Sequence, residues 1–171
     1  MIKLYRRGPV DKLEYWETWD KGDGSFVVHC GAVGERGESN EISSTLFSSA
    51  SKKVEKQIAA KKAQGFVKID PSQVATLLVE YVIDRFGTES ELEKRYRLEE
   101  RLNETLGWTG LGHCDGGSTG SGTMEVCCFV VDFDIAKIVI ERNWKILSSQ
   151  TIHKFTTKTN ERESPAILLN A

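Results

Sequence analysis

Apolar and polar residues alternate in the first third of the chain, and the period then lengthens. Ile2-Lys3-Leu4-Tyr5 reads as a short strand that Gly8-Pro9 ends. Over Leu13–Asp20 (LEYWETWD) a period near two puts Leu13, Tyr15 and Trp19 on one face and Trp16 and Thr18 on the other. The turn Lys21-Gly22-Asp23-Gly24 and a return strand Ser25–Cys30 complete a hairpin. Ile42–Phe47 reads as a further strand. A helix then follows: Ser48 or Ser49 can cap it, Val54, Ile58 and Ala59 form its apolar stripe with Ala50 and Ala63 extending it, and Gly65 stops it. Phe66–Ile69 is extended, and Asp70-Pro71 reads as a boundary.

Beyond that boundary the pattern runs β-α-β-β-α-β. Val74–Phe86 is continuously apolar, as a central strand would be. Thr88 and Glu91 form a capping box, and Leu92, Tyr96, Leu98, Leu102 and Leu106 stripe the helix as far as Gly107. Trp108–Cys114 and Thr123–Asp132 read as strands around the Gly-rich loop Asp115–Gly122. Asp132 or Asp134 caps a second helix through Trp144, and Thr151–Thr157 reads as an edge strand. The simplest fold with this element order is a ferredoxin-like sandwich. The predicted class is therefore α+β: an antiparallel sheet with one helix at 1–69, a ferredoxin-like βαββαβ domain at 72–158, and a tail at 159–171.

The glycine corner in Phe26–Gly37 (FVVHCGAVGERG) adds a resemblance. This stretch, the preceding sheet and the Lys-rich helix ending Lys61-Lys62-Ala63-Gln64-Gly65-Phe66 resemble a WGR domain over about residues 1–69. In register, Cys30 stands where that family has its signature Trp, Gly31 matches, and Ala32 stands where it has Arg. In DNA-repair ADP-ribosyltransferases the module contacts DNA, with the Trp stacking at a strand end and the Arg meeting neighbouring parts of the protein. Neither role passes to Cys30 or Ala32, because a thiol has no large π-face. What the resemblance still implies is phosphate neutralisation by Arg36, Lys52, Lys53, Lys56, Lys61 and Lys62. The bland alternative is a solvated lysine face.

Composition narrows the classes. The 171 residues are 39% hydrophobic and 28% charged, with net charge -2, which excludes a chain basic throughout. The first 70 residues carry 12 Lys+Arg against 10 Asp+Glu, so a polyanion would meet the first half. No apolar run reaches the roughly 20 residues of a membrane helix, and MIKLYRRGPV lacks a secretory signal, so a cytoplasmic, reducing setting and no membrane partner are expected.

Candidate chemistry is sparse. Asp115-Gly-Gly-Ser-Thr-Gly-Ser-Gly lacks the Lys-Ser/Thr close of a phosphate loop and precedes a strand, so it reads as a flexible hairpin loop. Its ligand-binding alternative uses His113, Asp115, Ser118, Thr119 and Ser121, with Glu125 completing an acid–base cluster. His113, Cys114, Cys127 and Cys128 match no zinc spacing, and only one of the adjacent Cys127 and Cys128 can face Cys114. His29 and Cys30 diverge on their strand and make no nucleophile pair. Trp16, Trp19, Trp108 and Trp144 read as core or core rim. The expectation is a non-catalytic binding or adaptor protein with no cofactor and no metal, its partner a protein or nucleic acid, and with self-pairing through the second domain as a further option.

Overall fold

The computed structural model describes residues 1–83, 87–120, 122–147 and 154–157. Four strands, β1 (Ile2–Arg7), β2 (Leu13–Asp20), β3 (Phe26–Ala32) and β4 (Glu38–Ile42), form an antiparallel meander in that order. Helix α1 (Ala50–Ala63) follows, with Ser49 as its N-cap and Gly65 at φ 86 just past its end. Val67 then returns to the first strand through a bridge to Tyr5.

The second half carries β5 (Ala75–Val82), α2 (Glu89–Trp108), β6 (Gly112–Gly120), β7 (Thr123–Val130), α3 (Phe133–Leu147) and β8 (Lys154–Thr157). Its sheet runs β6-β7-β5-β8, with every neighbouring pair antiparallel. The Thr88–Glu91 capping box forms as read, and Asp132 caps α3 by accepting from the Ile135 N–H. The chain is thus mixed α+β: two antiparallel sheets and three helices among the described residues.

Strand β2 is buried on both faces, and this organises the packing. On one face Leu4, Trp16, Val28 and Phe66 form a small core, with Cys30, Ile42 and Ile58 of α1 packed against it. On the other, Tyr5, Leu13, Tyr15 and Val33 join Leu77, Val79, Leu98, Leu102, Leu106, Val126 and Ile140 in the larger core. One apolar cluster therefore spans both halves. Backbone contacts reinforce it: the Gly34 N–H donates to Thr109 C=O at 2.8 Å, and the Tyr5 hydroxyl donates to Gly110 C=O at 3.0 Å. Trp16 is core and Trp19 and Trp108 lie at its rim; the Trp144 side chain lies outside the described residues.

Three stretches differ from the pattern reading. Trp108–Cys114 is a strand only from Gly112, because α2 runs through Trp108, and Gly110 and Leu111 close its end by donating to Gly107 and Leu106 C=O. Ile42–Phe47 is not a strand: β4 ends at Ile42, and Thr45 and Ser48 close a tight turn through reciprocal backbone hydrogen bonds. The hydroxyls of 43–49 supply the reason, since Ser44 Oγ accepts from Ala50 N–H and Ser49 caps the helix. The Gly-rich run is not a flexible loop either. Residues through Gly120 lie in β6, with a bulge between Cys114 and Gly117. There the glycines serve close approach: a Cβ on Gly117 would sit 2.0 Å from the Glu125 carbonyl oxygen.

Candidate functional site

The cationic residues separate into two places. Helix α1 carries five lysines against one glutamate. Lys52, Lys56 and Lys62 are exposed, while Lys53 and Lys61 are half-buried. The Lys53 ammonium donates to Ser43 C=O at 2.9 Å, and that of Lys61 lies 5.0 Å over the Phe66 ring. Arg36 is elsewhere. Its guanidinium stacks 5.4 Å from the Trp108 ring, which also contacts His29, on the sheet face opposite α1. Lys52, Lys53 and Lys56 therefore sit in the first half of α1, Lys61 and Lys62 in its last turn, and Arg36 lies apart from both. Cys30 lies half-buried against the core beneath α1.

Beside the lysines stand two residues that pattern reading assigned to a strand. Leu46 and Phe47 are 99% and 96% exposed at the tip of the Thr45–Ser48 turn. The turn is fixed to α1 by the Lys53–Ser43 and Ala50–Ser44 hydrogen bonds, so the pair is presented and not merely left over. A cleft of about 530 Å³ opens between the end of β4 and the middle of the helix, lined by Glu41, Ile42, Ser43, Lys53, Lys56, Gln57 and Ala60. Its one carboxylate, Glu41, is already engaged by Lys21 at 2.7 Å, and that contact holds it below the usual carboxylate range. The flanking serines and threonine, which favour caps and turns, were the sequence signal for this arrangement.

A buried polar chain lies on the opposite face of the first sheet. Glu17 faces His29 across the β2–β3 ladder, and His29 Nδ1 lies 2.7 Å from Glu17 Oε1. The carboxylate only accepts, so Nδ1 carries a proton, and Nε2 lies 3.0 Å from the Tyr15 hydroxyl. The Tyr15 oxygen in turn accepts the Gly37 N–H at 3.0 Å, and Lys3 pairs with Glu17 at 3.1 Å. His29 is fully buried. Burial pushes the Tyr15 phenol up to about 12, Glu17 and Cys30 adding to it against the Gly37 hydrogen bond. The carboxylate–imidazole–hydroxyl order resembles a proton relay, but a buried phenol that resists ionisation offers no nucleophile at neutral pH. The chain is a lock between β2, β3 and the glycine corner.

The residues of the ligand-binding alternative are spread along β6. His113, Asp115, Ser118 and Thr119 are exposed; Ser121 lies outside the described residues. His113 pairs with Phe129 and Ser118 with Glu125, so four positions of β7, about 13 Å of strand, separate the imidazole from that carboxylate. The Ser118 hydroxyl donates to Glu125 at 2.7 Å. Cys114 and Cys128 do face each other, Sγ to Sγ at 2.8 Å, while Cys127 points to the other face, as alternation requires. The Cys114 contact, then burial, push the Cys128 thiol far up, so it remains protonated. No grouping of three or more His, Cys, Asp or Glu suited to a metal ion occurs among the described residues. Among the same residues, no helix is long and apolar enough to cross a membrane.

Comparison of the chain with protein-family models, with curated proteins and with solved structures finds no match.

Proposed function

We propose that the chain is a non-catalytic binding or adaptor module whose partner docks at the start of α1. One observation carries this reading: two large apolar side chains stand almost fully in water beside a lysine-rich helix face. Exposed apolar groups rimmed by polar ones mark interaction sites more often than bare surface does. A protein partner is favoured over nucleic acid, because, of the exposed pair, only Phe47 offers a π-face for a base, while Leu46 does not and the adjoining β4 carries Glu38 and Glu41. The WGR resemblance is retained as part of this proposal, supported by the meander β1-β2-β3-β4 followed by α1. A ferredoxin-like second half is proposed likewise, supported by the β6-β7-β5-β8 order with all neighbours antiparallel.

The test titrates the full chain at low salt against two polyanions, blunt-ended or nicked duplex DNA and poly-glutamate. Saturable binding to at least one, weakening steeply as salt rises and lost in a Lys52→Glu/Lys56→Glu variant, is the expected result. Preference for DNA would move the partner class to nucleic acid. No saturable binding to either would overturn the reading.

A further inference from the structure

The lysines at the start of α1 sit where helix physics disfavours them. Ser49 is the N-cap, and Lys52 and Lys53 follow at the third and fourth helical positions, with no acidic residue in the first turn. The positive end of a helix dipole favours Asp and Glu there. A Glu at 52 would also complete a capping box with Ser49, whose hydroxyl already accepts the Lys52 N–H. The chain uses such a box on α2 but has Lys in its place here. Among the described residues no carboxylate lies within ion-pairing distance of Lys52, Lys53 or Lys56. No hydrogen bond or ion pair compensates the Lys52 and Lys56 ammonium groups among the described residues, and Lys53 has only the Ser43 carbonyl, as expected of groups placed for a partner.

Three features adjoin along the first half of α1: the Leu46–Phe47 tip at its start, the Ile42/Ala60 cleft beside its middle with a Lys53 and Lys56 rim, and the positive field of Lys52 and Lys56. We propose that together they form one docking surface for an acidic amphipathic segment of a partner protein, which deepens and rests on the binding-module reading above. Apolar side chains of that segment would cover Leu46 and Phe47 and enter the cleft, while its carboxylates meet the lysines. Charge decides against a two-fold contact of this face with a second copy of the chain. A two-fold contact here would bring two lysine-rich helix starts together, and like-charge juxtaposition opposes such pairing. A bilayer surface would cover the tip but has no use for a cleft beside it. A nucleic acid would use the lysines and stack on Phe47 but would leave Leu46 and the apolar cleft uncovered.

The test pans a phage-displayed library of random dodecapeptides on the immobilised full chain, then measures synthetic copies of enriched peptides by fluorescence polarisation. Enriched sequences should combine Asp or Glu with Leu, Phe, Ile or Trp. Affinity should fall at least tenfold in Leu46→Ser/Phe47→Ser and in Lys52→Glu. Lys52→Glu should also melt higher than the parent, so its loss of binding cannot come from unfolding. Enriched peptides without acidic bias, or bound equally by both variants, would overturn the docking surface while leaving a binding module elsewhere on the chain. Saturable poly-glutamate binding with no peptide enrichment would remove the apolar surface and keep the cationic one. Absence of both would overturn the two readings together.

Discussion

Tyr15→Phe removes one oxygen and tests the polar lock directly. In the folded chain that oxygen serves His29 Nε2 and the Gly37 N–H, each at 3.0 Å. The ring itself stays, so the packing against Gly110 and the larger core is preserved. Two polar groups lose their partner, one on a fully buried imidazole and one on a half-buried backbone amide. An unsatisfied buried group costs about 1–3 kcal/mol, so the variant should lose roughly 2–4 kcal/mol, the lower end applying if water reaches Gly37. At a urea m value of about 2 kcal/mol/M this is a midpoint shift of about 1–2 M. Tyr5→Phe is the internal control. Its hydroxyl serves one carbonyl, that of Gly110, at 3.0 Å, so about 1 kcal/mol is expected. Urea unfolding of both variants against the parent decides the matter. Equal losses, or a Tyr15→Phe loss under 1 kcal/mol, would show that His29 and Gly37 do not depend on that hydroxyl and would refute the lock.

Three further outcomes follow from the same contacts. The Tyr15 phenol, raised from 10.0 to about 12 by burial, is favoured neutral in the fold; its contribution is complete below pH 10 and is lost as pH rises through 12, so guanidinium unfolding at pH 8, 10 and 11 should show a decline that is shallower in Tyr15→Phe. Gly37→Ala would place a Cβ 2.2 Å from Cys30 C=O and 2.3 Å from the Tyr15 hydroxyl, so it should cost about 2 kcal/mol or more and lower the melting temperature by several degrees. Cys114 and Cys128 lie opposite each other in β6 and β7, so diamide should oxidise them to one disulfide. The two thiol hydrogens pass to the azo bond, and intact-mass and peptide mapping should find Cys30 and Cys127 still open to alkylation.

Much of the fold was legible because local chemistry and tertiary packing agree. The Ser49 cap, the Thr88–Glu91 box and Gly65 mark helix ends by hydrogen bonds that need no distant partner. Leu13–Asp20 was legible as a strand, but not the use of both its faces, since α1 and the second half arrive from far along the chain. The Leu46–Phe47 tip was misread because apolar character alone suggested a buried strand, whereas the hydroxyls around it close a turn to solvent. The glycines of β6 suggested flexibility, yet at Gly117 the absent Cβ admits the neighbouring carbonyl. The Glu17–His29–Tyr15 chain could not be found by spacing, because it exists only once the β2–β3 register places Glu17 opposite His29. The same limit applies to Arg36, which sequence grouped with the α1 lysines and the fold sets on the other face.

Hydrogen-exchange mass spectrometry on the full chain, free and saturated with an enriched acidic peptide, tests the docking surface most directly. Slowed exchange is expected to concentrate in residues 41–60, over the end of β4, the Thr45–Ser48 turn and the first turns of α1. Protection over the β6–β7 hairpin at 112–130, with 41–60 unchanged, would contradict it and return attention to the exposed His113 and Ser118.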